Sequence, residues 1–251
     1  MEKISSIDFD KKVLEIKHLT KSFGSLDVLR DMNVDLYKGE NLIVLGKSGS
    51  GKSVLLKCIV GLVVPDKGSI SVLGHDVLSL TTDERDKIRM KIGFLFQSNA
   101  LYDSMTVRDN LEFPLRRHGV KYSKKEVDDL VKDALESVGL PDTGKKMPSE
   151  LSGGMKKRIA LARTLMLRPE VILYDEPTTG LDPITSREIS NLIVSVQQKY
   201  KSSSVIITHD MKCVEIVADR IIMLIDGKAY KEGNYDELSK SDDPQIKSFF
   251  I

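Results

Sequence analysis

The sequence predicts an α/β fold: a mostly parallel sheet flanked by helices, short strands on either side of a glycine loop near the N-terminus, and a helical insert that divides the parallel core. Three observations carry this expectation. The run NLIVL (41–45) is short and apolar, and VILYDEP (171–177) and SSVIITHD (203–210) are short apolar runs that end in polar pairs, as buried strands do at their carboxyl ends. Amphipathic stretches alternate with them, namely SVLLKCIVGL, TSREISNLIVSVQQKY and MKCVEIVAD, which is the order of a parallel sheet with crossover helices. The loop GKSGSGKS (46–53) joins the first of those strands to the first of those helices.

Taken in order, VLEIKHLTKSF (13–23), DVLRDMNVDLYKGE (27–40) and KGSISVLGHDV (67–77) read as strands, the last two ending at glycine-containing turns. Residues 81–90 read as a charged helix and KIGFLFQ (91–97) returns to strand character. SMTVRDNLEFPLRRHGV (104–120) and SKKEVDDLVKDALESVGL (123–140) read as helices with Ser104 and Ser123 as caps. SGGMKKRIALARTLMLRPE continues as helix up to about Pro169, and RIIMLIDG (220–227) reads as a late strand. The insert therefore spans about 98–167, within a domain of 13–235 followed by a tail of 236–251.

Bulk properties narrow the function classes. The 251 residues suffice for a substantial core, and 38 Lys plus Arg against 37 Asp plus Glu leave a formal charge of +1, without the basic footprint of a nucleic-acid binder. Cys58 and Cys213 have neither metal spacing nor the pattern of a disulfide framework. No segment approaches the ~18 consecutive apolar residues of a membrane span, and MEKISSIDFDKKVLEI lacks the apolar stretch of a secretory signal. A cytoplasmic chain is expected, with docking onto a membrane protein left open.

The glycine loop matches G-x-x-x-x-G-K-[ST] through Gly46, Gly51, Lys52 and Ser53, with Lys47, Ser48, Gly49 and Ser50 between them and Val54 just after. Flexible backbone there presents N–H groups to phosphate oxygens, and the helix beginning near Lys52 adds its positive end. A triphosphate is expected, with Lys52 at its outer phosphates and Ser53 on Mg²⁺. In VILYDEP, Asp175 and Glu176 emerge at the carboxyl end of a buried strand, where open α/β sheets gather ligands. Strand alternation sends the two side chains different ways, so Asp175 is expected to support Mg²⁺ and Glu176 to orient or deprotonate a water. His209, after SSVIIT, fits two readings: a γ-phosphate or water contact, or a satisfied strand-end histidine. Gln97, after FLF, either senses metal and water or caps a turn. SELSGGMKKRIALAR opens a helix with Ser152, Gly153 and Gly154, which serves equally as an anion site or as an N-capped helix with a flexible entry.

Read together, GKSGSGKS, FQ, LSGGM, VILYDEP, TGLD and ITHD stand in the order found in ATP-binding cassette (ABC) ATPases, which the chain resembles from about Val13 to Gly233. The resemblance implies a P-loop NTPase (RecA-like) core with an antiparallel β-subdomain and an inserted α-helical subdomain. It also implies ATP and Mg²⁺ as ligands and a second copy as partner, LSGGM of each closing on the γ-phosphate held by the other. By the same resemblance Phe23 stacks on adenine and Asp182 touches the opposite copy near its phosphate loop. An integral membrane permease, docked near residues 98–120, is the other expected partner, placing the chain at the cytoplasmic face of the inner membrane. Translation or repair ABC proteins are the competing class; the chain has neither a second cassette nor a coiled-coil insertion. A kinase or GTPase is disfavoured by the lack of N-K-x-D.

One departure narrows the resemblance. Met155 replaces the usual Gln after LSGG and is followed by KKR. LSGGMKKR, FQSNALYDSMTVRDNLEFPL and SDDPQIKSFF together resemble the lipid-transport branch of the Mla and Mce systems, which implies phospholipid transport with lipid-binding accessory proteins. The tail, with Phe249 and Phe250 as apolar anchors, either crosses to the neighbouring copy or forms a partly buried terminus.

Overall fold

A computed structural model describes residues 7–250. Two sheets organise them. Strands β1 (Asp8–Phe23), β2 (Leu26–Lys38), β4 (Lys67–Val72) and β5 (His75–Asp76) form an antiparallel sheet in the order β2-β1-β4-β5. Strands β3 (Asn41–Leu45), β6 (Ile92–Leu95), β7 (Val171–Asp175), β8 (Ser203–Thr208), β9 (Arg220–Ile225) and β10 (Lys228–Gly233) form the second, in the order β10-β9-β3-β8-β7-β6. All its neighbours run parallel except the β9–β10 pair at one edge.

The helices are α1 (Lys52–Ile59), α2 (Thr82–Met90), α3 (Val107–Arg117), α4 (Lys124–Ser137), α5 (Gly153–Leu165), α6 (Pro183–Tyr200), α7 (Met211–Val217), α8 (Tyr235–Ser239) and α9 (Pro244–Lys247). Alternation along the buried strands divides the interior in two. Leu42 and Val44 of β3 pack with α1 and the antiparallel sheet, through residues such as Leu55, Ile16 and Leu36. Ile43 and Leu45, pointing the other way, join Leu111, Leu135, Ile159 and Ile193 of the helices on the opposite face. Helices α3 to α5 thus share a core with the parallel sheet.

Several elements differ from the sequence reading. β1 begins at Asp8, ahead of the Val13 boundary, because residues 8–12, polar apart from an exposed Phe9, pair with the end of β2 without burying an apolar face. Thr106, not Ser104, caps α3: its hydroxyl accepts from the Asp109 N–H at 3.1 Å. Ser123 caps α4 as expected, in a reciprocal pair with Glu126. β10, α8 and α9 went unread. In the tail, Ile246 is buried and Phe249 and Phe250 lie against the chain's own core, with Phe250 edge-on to Tyr235 at 5.5 Å. Of the two arrangements expected for the tail, this chain shows the partly buried terminus, with both phenylalanines on its own core.

At the end of the sheet away from the glycine loop, Glu40 is fully buried, and Arg220 of β9 holds it with two bonds of 2.7 and 3.1 Å. Removing one partner of such a pair leaves a buried charge uncompensated. Arg220→Ala is expected to lower the unfolding free energy by about 3–5 kcal/mol, read as a fall in the urea midpoint at constant slope.

Candidate functional site

The loop after β3 curls tightly for steric reasons that can be located. A Cβ on Gly46 would lie 2.6 Å from Ser50 Oγ and 2.7 Å from the Leu224 carbonyl oxygen, so only glycine fits. Gly51 caps α1 with φ of +102°, and a Cβ there would meet the Val28 carbonyl oxygen at 2.9 Å. Helix α1 then starts at Lys52, with its N-terminal N–H groups directed at the loop. Lys52 Nζ donates to the Gly46 and Lys47 carbonyl oxygens at 2.7 and 3.0 Å and stands 3.9 Å from Glu176 Oε1. Burial pushes its ammonium below the ordinary lysine range, while the Glu176 and Asp175 carboxylates oppose that shift.

The two carboxylates part as expected, by a different route. β7 ends at Asp175, whose Oδ1 accepts from the Ser53 hydroxyl at 3.2 Å. Burial raises its carboxyl above the usual range, against the bond from Ser53 and with Glu176 adding to the rise. Glu176 is not a continuing strand residue: its φ is +50°, a conformation that L residues seldom adopt, and its N–H donates to the Ile207 carbonyl oxygen at 2.9 Å. The backbone turn, rather than strand alternation, separates the side chains. His209 Nδ1 lies 3.0 and 2.9 Å from the two oxygens of Glu176, and the Thr179 hydroxyl donates to Oε2 at 3.2 Å. Thr179 was missed in the sequence, where TTGLD drew attention only to its aspartate.

Lys52, Ser53, Glu176 and His209 face one cavity of about 620 Å³, whereas Gly46 and Asp175 stand behind its lining, Asp175 reaching it through the Ser53 hydroxyl. Lys47, Ser48 and Gly49 line it from the loop, Gly51, Lys52, Ser53 and Val54 from the helix start, and Gln97, Glu176 and His209 from the strand ends. Phe23, half exposed at the end of β1, closes one side beside Val28. Ser50 borders a second cavity of about 550 Å³, shared with Gln245, Ser248 and Phe249 of the tail.

Ser152, Gly153, Gly154 and Asp182 are not brought to the cavity of their own chain. Ser152 caps α5, accepting from the Met155 N–H at 3.2 Å, and Asp182 caps α6, accepting from the Ile184 and Thr185 N–H groups at 3.0 Å. These two helix mouths touch each other: a Cβ on Gly154 would lie 2.6 Å from Thr185 Cγ2. Both remain open on the surface.

The donor chemistry suits a hard cation that keeps most of its shell for other oxygens. A hydroxyl from Ser53 and a carboxylate from Asp175 converge, and among the described residues no group of three or more His, Cys, Asp or Glu forms a cage. Mg²⁺ is held in this way, by one or two protein oxygens with phosphate and water supplying the rest.

A glycine-cradled helix start, a neighbouring carboxylate pair and a central parallel sheet define a P-loop nucleotide-hydrolysing cassette. The chain belongs to the ABC transporter family, whose model matches residues 29–179. It is 42% identical over 236 residues to the probable ribonucleotide transport ATP-binding protein mkl of Mycobacterium leprae, covering 94% of this chain and 68% of that protein. It is 36% identical over 240 residues to the intermembrane phospholipid transport system ATP-binding protein MlaF of Haemophilus influenzae, covering 96% of this chain and 90% of that one. Among solved structures, the dimeric bacterial ABC transporter cassette MJ0796 superposes with a TM-score of 0.80 at 32% identity, over 88% of this chain and 98% of its own. A second structure of that cassette is a post-hydrolysis state bound to ADP and Pi. The chain is accordingly an ABC transporter ATPase subunit, and its nucleotide is ATP.

Proposed function

We propose that this chain forms one half of an ATP-sandwich dimer that drives a separate membrane permease, with phospholipid as the transported substrate. The observation that carries the sandwich is the separation within one chain. The cavity holds the glycine loop, Lys52, Glu176 and His209, while the open helix mouth at Ser152, Gly153 and Gly154 contributes nothing to it. An anion-ready helix start without a ligand in its own chain fits the phosphate of a second copy. Asp182, on the adjoining mouth, then meets that copy near its glycine loop.

In this reading Phe23 stacks on adenine, the loop N–H groups hold the phosphates, and Lys52 turns from its two carbonyl partners to the outer phosphates. Ser53 and Asp175 would hold Mg²⁺, with Gln97 beside it, and bound there the ion would supply positive charge to the phosphate oxygens. Glu176 takes the proton of the attacking water, and His209 keeps its carboxylate aimed. Loss of the bridging γ-phosphate then lets the dimer open, because only the closed state completes both sets of contacts.

The permease is assigned to the surface near residues 98–120, where Tyr102 is exposed and packs against Phe113 at 4.6 Å. Among the described residues no helix is long and apolar enough to cross a membrane, so the reading requires that separate partner. Its inner-membrane location follows through the permease. The lipid assignment is supported by LSGGMKKR and by the match to MlaF along 90% of that protein, against 68% for the ribonucleotide transport relative. Accessory lipid-binding proteins belong to the same reading, in which the tail of 236–251 reaches a neighbouring copy only if Phe249 and Phe250 leave the core of their own chain.

Cysteines introduced by Ser152→Cys in one copy and Ser48→Cys in the other should crosslink between chains only when MgATP is present. Crosslinking independent of nucleotide, or none at all, counts against the sandwich. Lipid extracted from the purified complex with its permease should be phospholipid; a complex carrying only a polar solute would end the lipid assignment.

A further inference from the structure

The KKR run after LSGGM is not uniformly solvated. Lys157 is only 2% exposed, and its Nζ donates to the main-chain carbonyl oxygen of Gln97 at 2.9 Å. Burial pushes its ammonium below the ordinary lysine range, while the Asp175 and Glu176 carboxylates favour the charged form. Six residues further along α5, Arg163 donates to the carbonyl oxygens of Ala100 and Asn99 at 2.7 and 3.1 Å. Asn99 and Ala100 both lie in the left-handed region, at φ of 64° and 50°. A turn of two such residues persists only where its surroundings hold it. Helix α5 therefore grips the 97–100 segment at both ends, immediately after β6 delivers Gln97 to the cavity.

A buried ammonium is a costly way to fill space, and an apolar side chain of similar length would pack there without desolvating a charge. Its distinguishing act is to fix one carbonyl oxygen. We propose that Lys157 is a positioning residue that sets the place of Gln97 in the cavity, making Gln97 follow α5. The N-terminal mouth of that same helix is assigned to the other copy's nucleotide, so a shift of α5 on closing is carried through Lys157 to the chain's own site. The inference deepens the proposed function and rests on the role assigned there to Gln97.

Four purified full-length variants test it: Lys157→Met, Lys157→Arg, Gln97→Ala and the Lys157→Met/Gln97→Ala double. Lys157→Met should lower kcat about tenfold, the scale of a small misplacement at a reacting centre, and leave KM for MgATP within about twofold, since Phe23, Lys52 and the glycine loop are untouched. Lys157→Arg, still able to donate to the carbonyl, should recover most of the rate. In the Gln97→Ala background the same Lys157→Met change should cost less than about twofold, because both act through one group. Losses that multiply, or a Lys157→Met enzyme with normal kcat, would overturn the coupling. Should Lys157→Met fail to fold, Lys157→Gln decides by the same kinetic criteria. Unimpaired turnover in Gln97→Ala alone removes the Gln97 assignment as well; impaired Gln97→Ala beside unimpaired Lys157→Met removes only the coupling.

Discussion

Lys52→Ala is expected to reduce ATP turnover by about 100- to 1,000-fold while leaving the fold intact. The loss follows from the position of the ammonium at the mouth of α1, where a single preorganised donor to a developing anion is worth a factor of that order. Retention of the fold follows from its burial. Lys52 is 6% exposed, and its ammonium is pushed downward, so burial disfavours the charge more than Glu176 at 3.9 Å and the nearby Asp175 favour it. Deleting that charge removes a desolvation cost, against which stand two hydrogen bonds to loop carbonyls and the attraction of the Glu176 and Asp175 carboxylates. The melting temperature should therefore stay within a few degrees of the parent, and ATP affinity should fall with the rate. Turnover near the parent's would contradict the assignment of Lys52 to the outer phosphates. A collapse in melting temperature would instead show that Lys52 serves the loop.

The parts of this fold legible in the sequence are those where burial leaves a signature. NLIVL is a strand with the expected bounds, and VILYDEP and SSVIITHD contain strands that stop at Asp175 and Thr208, because each strand is enclosed on both faces, which admits few charged residues. β10 escaped notice because KAYKEG is an exposed edge strand whose pairing to β9 is made by the backbone, and backbone bonds have no compositional mark. α8 and α9 are a turn or so long, below the reach of a periodic pattern.

At the site, the glycine loop was legible because close approach of Gly46 and Gly51 to neighbouring backbone excludes every other residue. The separation of Asp175 and Glu176 was anticipated for a reason that does not operate, since Glu176 leaves the strand geometry altogether. Lys157 was the least legible of all. Its neighbours Lys156 and Arg158 share its charge, and only the tertiary contact to Gln97 distinguishes it. A charge run reports solvation on average, and one buried member does not alter that average.

Glu176→Gln should slow hydrolysis by about 10²- to 10⁴-fold, the range for loss of a general base, while ATP binding is retained and the closed dimer accumulates. The geometry explains why binding survives. The amide has the size of the carboxylate, so its oxygen can still accept from the Thr179 hydroxyl, and the backbone bond to Ile207 that holds the left-handed turn is independent of the side chain. Lys52 keeps both carbonyl partners, and ATP phosphates supply the negative charge that Glu176 no longer offers across 3.9 Å. What is lost is proton acceptance: a neutral amide cannot take the proton of water at neutral pH. His209, 3.0 Å from one carboxylate oxygen, offers no substitute, because its place beside residue 176 suits orientation of that group rather than replacement of it. Light scattering with saturating MgATP should show a stable dimer for Glu176→Gln and a transient one for the parent. A variant that stays monomeric would remove the composite site, and one that hydrolyses ATP at the parental rate would remove Glu176 as the base while leaving the sandwich standing.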